Sequence, residues 1–255
     1  MIATFAIPCR NAGPHLLPLL ESLLAQQRQD FELLLVDDAS TDATAERIDE
    51  LSSERPNVRI VRHEANQGVA AGIMTGIRAA ETEIVCSMDC DCTYDPHELA
   101  KMIPLLGEDV DLVTASPYHR EGGVRNVPGW RLFLSKGASW LYRRTLRSKL
   151  DTYTSCFRVY RRSSVAGMAI EEQGFLGVAE MLGRLDLAGG RIVEFPAVLE
   201  VRLFGFSKMK TARTIAGHLR LLTRLARLRV EIGEAVDNEA QIEEISEKTL
   251  KSPSK

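Results

Sequence analysis

The chain has 255 residues, of which 45% are hydrophobic and 26% are charged. This composition is that of an ordinary globular protein, and the length suits one large α/β domain or two small ones. The formal net charge of −3 argues against a general nucleic-acid binder.

The start of the chain and its cysteines predict a cytoplasmic protein. Met1 leads directly into IATFAIP, without the basic start and cleavage site of a signal peptide. The five cysteines are odd in number and lack paired spacing, so we interpret them as reduced thiols. No run of about 18 apolar residues is present, so we predict no membrane span. Contact with the inner face of a membrane stays open as an alternative.

Short apolar runs alternate with helical patterns through the first half of the chain. Strands are predicted at 2–8, 31–37, 57–63, 83–89 and 110–116. Between them, apolar residues recur at helical spacing in 15–27, 42–54, 68–81 and 97–108. This repetition predicts an α/β fold with a mostly parallel central sheet flanked by helices. In such sheets, ligands bind beyond the carboxyl ends of the strands.

The second half of the chain is more polar, basic and aromatic. The predicted elements are a Gly-rich loop at 117–130, a basic helix at 131–150, a strand at 153–164, a helix at 174–190, a strand pair broken at Pro196 in 191–205, and a basic amphipathic helix at 211–232. Residues 233–255 are charged and nearly free of large apolar side chains, so we expect most of them to be disordered.

Two aspartates end the predicted strand in IVCSMDCDCTYDP, residues 84–96. Asp89 and Asp91 point to the same side of an extended segment, so both can face one ligand. Two like charges held close repel each other, and a hard cation such as Mg²⁺ or Mn²⁺ would offset that repulsion. By spacing alone an alternative stays open, in which one aspartate caps the next helix and the other is solvated.

Four blocks of the first half resemble, in order, those of family 2 glycosyltransferases with the GT-A fold. They are AIPCRNAGPHLLPLLESLLAQ, LLLVDDASTDAT, NQGVAAGIMTGIRAA and MDCDCTYDP. In the second half, SPYHREGG, WRLFLSKGAS, DTYTSCFRVYRR, GFLGVAEML and VRLFGFSKMK resemble the dolichol-phosphate mannose synthase and polyprenyl-phosphate hexose synthase branch. The resemblance implies a GT-A catalytic domain at 1–210, with a nucleotide-sugar-binding half at 1–116 and an acceptor half at 117–210.

The resemblance also implies a nucleotide-sugar site. Asp38 matches the aspartate that reads the base, Pro8 and Asn11 line the same pocket, and Asp37 orients the loop. The segment near the ribose and diphosphate is matched by Asn66, Gly68 and Gly72. The D-x-D motif that binds the divalent cation and the donor diphosphate is matched by Asp89 and Asp91. Which base and which sugar are read stays open.

Basic residues are expected to bind the phosphates of donor and acceptor. The late R…G-x-S-K element of the family is matched by Arg202, Ser207 and Lys208. Arg158, in TSCFR, is a further phosphate-binding candidate. Arginine suits this role because its planar guanidinium donates two hydrogen bonds to one phosphate. Among these residues, we expect Arg202 to act in catalysis together with the two aspartates of the D-x-D motif.

The acceptor decides whether a general base is needed. A polyprenyl phosphate has an anionic oxygen, so an inverting single displacement needs no base. A hydroxyl on a glycan, a glycolipid or a small molecule needs a carboxylate to take its proton. Glu180 is then the candidate base, along with Asp151. The alternatives are that Glu180 is a helix-surface residue and that Asp151 belongs to a turn or a helix terminus.

Three departures from the family pattern motivate a further interpretation. Cys156 replaces the glycine of TSGFR, and Thr93 stands where a glutamine usually lies near the metal. Arg10 and Ala12 replace a tyrosine and a glutamate that often contact the nucleotide. A nucleotide-sugar-binding protein without turnover is therefore a second alternative to the polyprenyl-phosphate transferase.

Two basic segments suit a membrane surface. Residues 131–149 and 211–230 each combine Lys or Arg with large apolar side chains at helical spacing. Such helices bind anionic lipid surfaces. The alternative is that their apolar faces pack on the core or on a second copy of the chain in a homodimer.

Overall fold

The computed structural model describes residues 2–24, 30–91, 93–200 and 211–250. Its strands, in chain order, are β1 (Ala3–Cys9), β2 (Phe31–Asp37), β3 (Val58–Arg62), β4 (Ile84–Ser87), β5 (Leu112–Ser116), β6 (Gly123–Arg125), β7 (Arg158–Arg161), β8 (Ile192–Pro196) and β9 (Val198–Glu200). Its helices are α1 (Gly13–Leu24), α2 (Thr44–Glu54), α3 (Val69–Ala79), α4 (Leu99–Met102), α5 (Gly129–Thr145), α6 (Arg162–Val165), α7 (Gly174–Leu187) and α8 (Thr211–Leu250).

The main sheet has the strand order β3-β2-β1-β4-β7-β5-β8, and β6 and β9 form a small parallel sheet. Strands β1 to β4 are parallel, whereas β7 runs antiparallel to both of its neighbours. The predicted α/β fold with a mostly parallel sheet is confirmed. Because β7 is reversed, its first residue, Arg158, pairs with Ser87 at the carboxyl end of β4. The segment that precedes β7 therefore lies at the edge where the parallel strands end.

Helices cover both faces of the sheet, and β1 shows how the sequence divides between them. Phe5 and Ile7 belong to one apolar cluster, with α1 and α4, whereas Ala6 belongs to the other, with α3 and α7. This alternation is the period-two pattern of a strand. On the α3 side the strand and helix lie very close, since a Cβ placed on Gly76 would lie 2.5 Å from the Cβ of Ala6. Small residues thus fix how deeply α3 packs on the sheet.

Three predicted elements differ in the structure. The helix predicted at 97–108 is the short α4 between two 3₁₀ turns, Pro96–Glu98 and Ile103–Leu105. Pro104 explains the break, because proline lacks the N–H that a continuing helix needs. The loop predicted at 117–130 contains β6. The strand predicted at 153–164 is limited to β7 and is followed by α6.

The last helix is longer than predicted. The sequence pattern ended it at residue 232 and left 233–255 disordered, whereas α8 continues to Leu250. Residues 233–250 are rich in Glu, Ala, Gln and Lys, which are strong helix formers, and this explains the continuation. Near its start, α8 packs through the buried side chains of Leu221, Leu222 and Leu225. None of the described helices is long and apolar enough to cross a bilayer.

Candidate functional site

Two loops interlock at the carboxyl ends of β1 and β2. The Oδ1 atom of Asn11 accepts a hydrogen bond from the N–H of Thr41 at 2.8 Å, and the N–H of Asn11 donates to the Oγ of Ser40 at 3.1 Å. Asn11 adopts a φ of 47°, a left-handed conformation that asparagine tolerates better than most residues. The Oδ1 of Asp37 accepts from the N–H of Ser40 at 3.0 Å. Asn11 and Asp37 therefore hold the loop that presents Asp38.

Asp38 is buried at the end of β2 and holds the loop that follows β3. Its carboxylate accepts hydrogen bonds from the N–H of Gln67 at 2.7 Å and of Gly68 at 2.8 Å. It also lies 2.8 Å from the Nδ1 of His63, whose Nε2 is 2.9 Å from the Oγ1 of Thr75. Burial alone would raise the pKa of Asp38, but the hydrogen bonds from Gln67, His63 and Gly68 outweigh it and lower the pKa. A carboxylate accepts about four hydrogen bonds, and three donors contact Asp38 here. One acceptor position of the carboxylate is therefore left for a donor group of a nucleotide base.

Sequence reasoning missed His63, which is the partner that orients Asp38. The available signal was its position at the end of the third predicted strand, where the parallel strands of this fold place their functional residues. The predicted base-reading role of Asp38 stays a prediction.

Glycines allow the starts of α3 and α7 to meet. Gly68 has a φ of 89°, and a Cβ placed on it would lie 2.9 Å from the backbone nitrogen of Gly174. Gly72, one turn later, packs on Pro8 at the end of β1, where the same construction gives 2.7 Å to the Cβ of Pro8. Three of the predicted nucleotide-site residues therefore have packing reasons for their identity. Asn66 lies exposed on the loop before α3.

The D-x-D motif follows β4 at the same edge of the sheet. Asp89 and Asp91 are both half-buried, and the Oδ1 of Asp91 accepts from the N–H of Thr93 at 3.2 Å. Cys156, in the segment before β7, hydrogen-bonds through its thiol to the side chain of Asp89. Burial and the nearby charge of Asp89 raise the pKa of the Cys156 thiol well above its usual range, so it stays protonated and can donate. Cys156, which stands where the resemblance leads us to expect a glycine, thus contacts the first aspartate of the motif.

The two aspartates suit a divalent cation that also binds substrate. No third His, Cys, Asp or Glu completes a metal-binding group with them in the described part of the chain. Mg²⁺ is commonly held by one or two carboxylates together with substrate phosphates, rather than by an all-protein cage. The donor set is therefore compatible with a cation that completes its coordination with a diphosphate.

Arg158 lies in the interior rather than at the surface of the site. Its side chain is fully buried and donates to the carbonyl oxygens of Val178, at 2.8 Å, and Tyr153, at 2.9 Å. These bonds tie the segment before β7 to α7. The Oγ of Ser87 also donates to the carbonyl of Cys156 at 2.6 Å. The contacts give Arg158 a positioning role, and its predicted phosphate contact stays a prediction that these contacts do not favour.

Glu180 is the most enclosed carboxylate of α7. Its side chain is 0% exposed, so the alternative that it is a helix-surface residue is wrong. It accepts hydrogen bonds from the N–H groups of Glu171 and Glu172 and from the Nε of Arg184, and lies 3.2 Å from the Nη2 of Arg224 in α8.

The second candidate base, Asp151, lies at a bend. Its carboxylate pairs with the Nη1 of Arg143 at 2.8 Å, and its N–H donates to Glu194. Both candidate bases are therefore engaged within the chain, and the contacts of Asp151 agree with the alternative that it belongs to a turn.

The small sheet connects the D-x-D loop to the chain that precedes residue 201. The N–H of Glu200, the last residue of β9, donates to the carbonyl of Thr93 at 3.0 Å. Its side chain pairs with Arg125 of β6 at 3.1 Å. The chain therefore leaves β9 beside the D-x-D motif. The predicted phosphate-binding residues of the next segment, Arg202, Ser207 and Lys208, lie outside the described residues.

The mostly parallel sheet with helices on both faces is the GT-A fold, which the structural neighbours share. A sequence model of the family described as Glycosyl transferase family 2 matches residues 4–167. The chain belongs to this family, and the predicted membership and fold are confirmed.

Relatives with curated names include transferases that make lipid-linked mannose. The chain is 30% identical over 239 residues to a dolichol-phosphate mannosyltransferase of Pyrococcus furiosus, covering 92% of this chain and 67% of the relative. It is 32% identical over 211 residues to a polyprenol monophosphomannose synthase of Mycolicibacterium smegmatis, covering 80% of this chain and 79% of that one.

A solved structure shows the same fold with donor and metal bound. The glucosyl-3-phosphoglycerate synthase of Mycobacterium tuberculosis, in complex with Mn²⁺, UDP-glucose and phosphoglyceric acid, superposes with a TM-score of 0.64 at 20% identity. The alignment covers 89% of this chain and 79% of that one. At this identity the likeness shows the shared fold.

Proposed function

We propose that this protein is an inverting, metal-dependent transferase that moves a hexose from a nucleotide sugar to a polyprenyl phosphate. The names of the two relatives above support the lipid phosphate as acceptor. The Mn²⁺ complex of the structural neighbour supports a divalent metal. A GDP-sugar and a UDP-sugar both fit this proposal as donor.

The observation that carries the proposal is that both candidate general bases are engaged in hydrogen bonds and ion pairs within the chain. Glu180 is buried and fully engaged, and Asp151 is paired with Arg143. A hydroxyl acceptor would need a carboxylate to take its proton, and these two are the candidates that the sequence offers. A phosphate acceptor attacks through an oxygen that is already anionic, so these contacts favour the acceptor that needs no base.

The departing nucleoside diphosphate must be stabilised as its charge develops. In the proposal Asp89 and Asp91 hold Mg²⁺ or Mn²⁺, which supplies electrostatic stabilisation to the diphosphate when it is bound. Cys156 and the N–H of Thr93 orient the two carboxylates. Arg202, Ser207 and Lys208 would add cationic and hydroxyl donors, since the chain enters their segment beside Thr93.

The direct test is a transfer assay with purified protein, Mn²⁺ or Mg²⁺, labelled GDP- and UDP-sugars, and a polyprenyl phosphate in detergent. We expect label to move to the organic phase with one class of donor and to stop when EDTA is added. Donor hydrolysis that EDTA stops, without lipid labelling, would instead favour a hydroxyl acceptor. Nucleotide binding without transfer or hydrolysis would favour the non-catalytic alternative.

A pair of variants tests the D-x-D assignment. Asp91→Asn should abolish metal-dependent donor binding and transfer while leaving the fold intact. Asp95→Asn is the matched control, because Asp95 lies in the same connection but caps the 3₁₀ turn at Pro96–Glu98 through the N–H of His97. Normal transfer by Asp91→Asn, or an equal loss in both variants, would contradict the assignment.

A further inference from the structure

The two carboxylate oxygens of Asp38 differ in how many hydrogen bonds they already accept. The Oδ1 atom accepts two, from the Nδ1 of His63 at 2.8 Å and from the N–H of Gln67 at 2.7 Å. The Oδ2 atom accepts one, from the N–H of Gly68 at 2.8 Å. Each carboxylate oxygen offers about two acceptor positions. The contacts of the described residues therefore fill Oδ1 and leave one position on Oδ2.

The surroundings of Asp38 hold the carboxylate in this arrangement. The side chains of Asp38 and His63 are 5% and 6% exposed. Against the effect of burial, the hydrogen bonds from Gln67, His63 and Gly68 lower the pKa of Asp38, so it is ionised near neutral pH and can only accept. The Nε2 of His63 lies 2.9 Å from the Oγ1 of Thr75. Because both ring nitrogens are engaged, the imidazole is held in place and keeps its position on Oδ1.

The nucleotide bases differ in the number of donors that they can offer to one carboxylate. Guanine presents a ring N–H beside an amino group, and this pair of donors needs an acceptor position on both oxygens. Uracil and thymine present a single ring N–H between two carbonyl groups. Cytosine and adenine place an amino group beside an unprotonated ring nitrogen, whose lone pair would face the carboxylate. The one position left on Oδ2 therefore matches the imide of uracil or thymine.

Arg10 adds a further donor beside Asp38. Its Nη1 donates to the backbone carbonyl oxygen of Asp38 at 3.3 Å, so that carbonyl is also engaged. The guanidinium carries additional N–H groups and no acceptor. The carbonyl oxygens that flank the imide of uracil or thymine can accept from such a donor. The amino group of guanine would instead meet another donor.

We propose that Asp38 selects a uracil or thymine base, so that the donor is a UDP- or dTDP-sugar rather than a GDP-sugar. The inference rests on the proposed function, which supplies the nucleotide sugar, although the selection itself needs neither acceptor nor turnover. His63 is a positioning residue in this selection, because it acts on the base through Asp38 by filling Oδ1. A guanine amino group would be buried without an acceptor, which weakens binding.

Calorimetric titration of the full-length protein with UDP, dTDP, GDP and CDP, at one fixed Mn²⁺ concentration, gives a direct test. The diphosphate is the same in all four ligands, so differences in affinity report the base. We expect UDP or dTDP to bind about tenfold or more tightly than GDP and CDP, because an unsatisfied buried polar group is costly. The analogue 3-methyl-UDP lacks the imide N–H and should bind about tenfold more weakly than UDP. Comparison of UDP with dTDP distinguishes uracil from thymine.

A matched pair of substitutions tests the role of His63. His63→Leu removes one donor from Oδ1 and so opens a position for the guanine amino group. The preference for UDP over GDP should therefore fall about fivefold or more in this variant. Thr75→Val is the control, because it leaves all three donors to Asp38 in place, and its preference should equal that of the wild type. A general loss of stability would weaken both nucleotides together, and thermal unfolding checks that each variant is folded.

Four outcomes would overturn the inference. They are wild-type protein that binds GDP as tightly as UDP and dTDP, equal binding of UDP and 3-methyl-UDP, an unchanged preference in His63→Leu, and an equal change in the two variants. The first two measurements need no substitution, so they decide the question even for a variant that does not fold. A preference for UDP without transfer to polyprenyl phosphate would uphold this inference and contradict the proposed function. Transfer from a GDP-sugar to polyprenyl phosphate would do the reverse.

Discussion

Replacement of Glu180 by glutamine separates a structural role from a catalytic one. In the structure the carboxylate is completely buried between the segment before α7 and the first half of α8. It accepts from two backbone N–H groups and from Arg184, and lies beside Arg224. The glutamine side chain has nearly the same shape, but its NH₂ group would face donors instead of accepting from them.

The cost of this change follows from those contacts. Removal of one member of a buried ion pair destabilises a protein by about 3–5 kcal/mol. Here Arg184 keeps Glu171 as a partner, and Arg224 keeps Glu171 and Glu172, so the cations are not stranded. We therefore expect a loss of about 2–4 kcal/mol, dominated by the unsatisfied acceptor positions. For a domain of this size that loss lowers Tm by roughly 5–15 °C.

The assay combines unfolding with transfer activity. Urea denaturation and thermal unfolding of Glu180→Gln are compared with those of Glu171→Gln, which touches the same arginines from an exposed position. Each exposed ion pair of Glu171 should contribute less than about 1 kcal/mol to the free energy of unfolding. Below its own Tm, Glu180→Gln should still transfer sugar. A variant of unchanged stability that has lost all transfer would refute this reasoning and identify Glu180 as a base.

Three further predictions concern packing, metal binding and pH. Gly76→Ala should destabilise the protein by about 1–3 kcal/mol, because the new Cβ would overlap the side chain of Ala6. Gly137→Ala should instead stabilise α5 by about 0.5–1 kcal/mol, because the space around Gly137 is open. The urea midpoints of the two variants check both predictions. Cys156→Ala should weaken Mn²⁺-dependent donor binding about tenfold and Cys156→Ser much less, because serine keeps a donor for Asp89; titration calorimetry that finds all three proteins equal would contradict this. Burial lowers the pKa of His218 in the folded protein below its usual value near 6.5. The stability that the neutral imidazole contributes is therefore fully present above about pH 6.5, and it is lost as the pH falls through the lowered pKa of the folded state. The Tm of the wild type should therefore fall more on acidification from about pH 7 than that of His218→Gln, and parallel curves would contradict the linkage.

The order of elements and the location of the site could be predicted from the sequence. Period-two and helical spacing located the five strands of the first half and most of their helices, because these patterns depend on neighbours within one element. The D-x-D motif and the Asp37–Asp38 pair were placed at strand ends by the same reasoning, and parallel pairing then brings those ends together. Family membership followed from several ordered blocks, and it is confirmed.

The fate of individual polar and apolar side chains depended on contacts between distant segments. Glu180 could be a surface residue or a base by its helical position, and its burial arises because α8 and the segment at 171–172 close over it. Arg158 could reach a phosphate by its motif, yet the reversed β7 directs it to carbonyls of Tyr153 and Val178. His63 can orient Asp38 only because β3 pairs with β2 in the sheet, which places the two side chains in contact.

The helix α5 shows the same division in one element. Its sequence determined that it is amphipathic, basic and rich in aromatic residues, because these properties follow from composition and spacing alone. Only the tertiary structure decided that Tyr142 packs inward while Phe133 and Trp140 face outward, because that choice depends on where α8 and the core surround the helix. Local chemistry thus determined which segments form and where the strand ends carry carboxylates, whereas burial, which depends on long-range packing, decided which charges and apolar groups are available for binding.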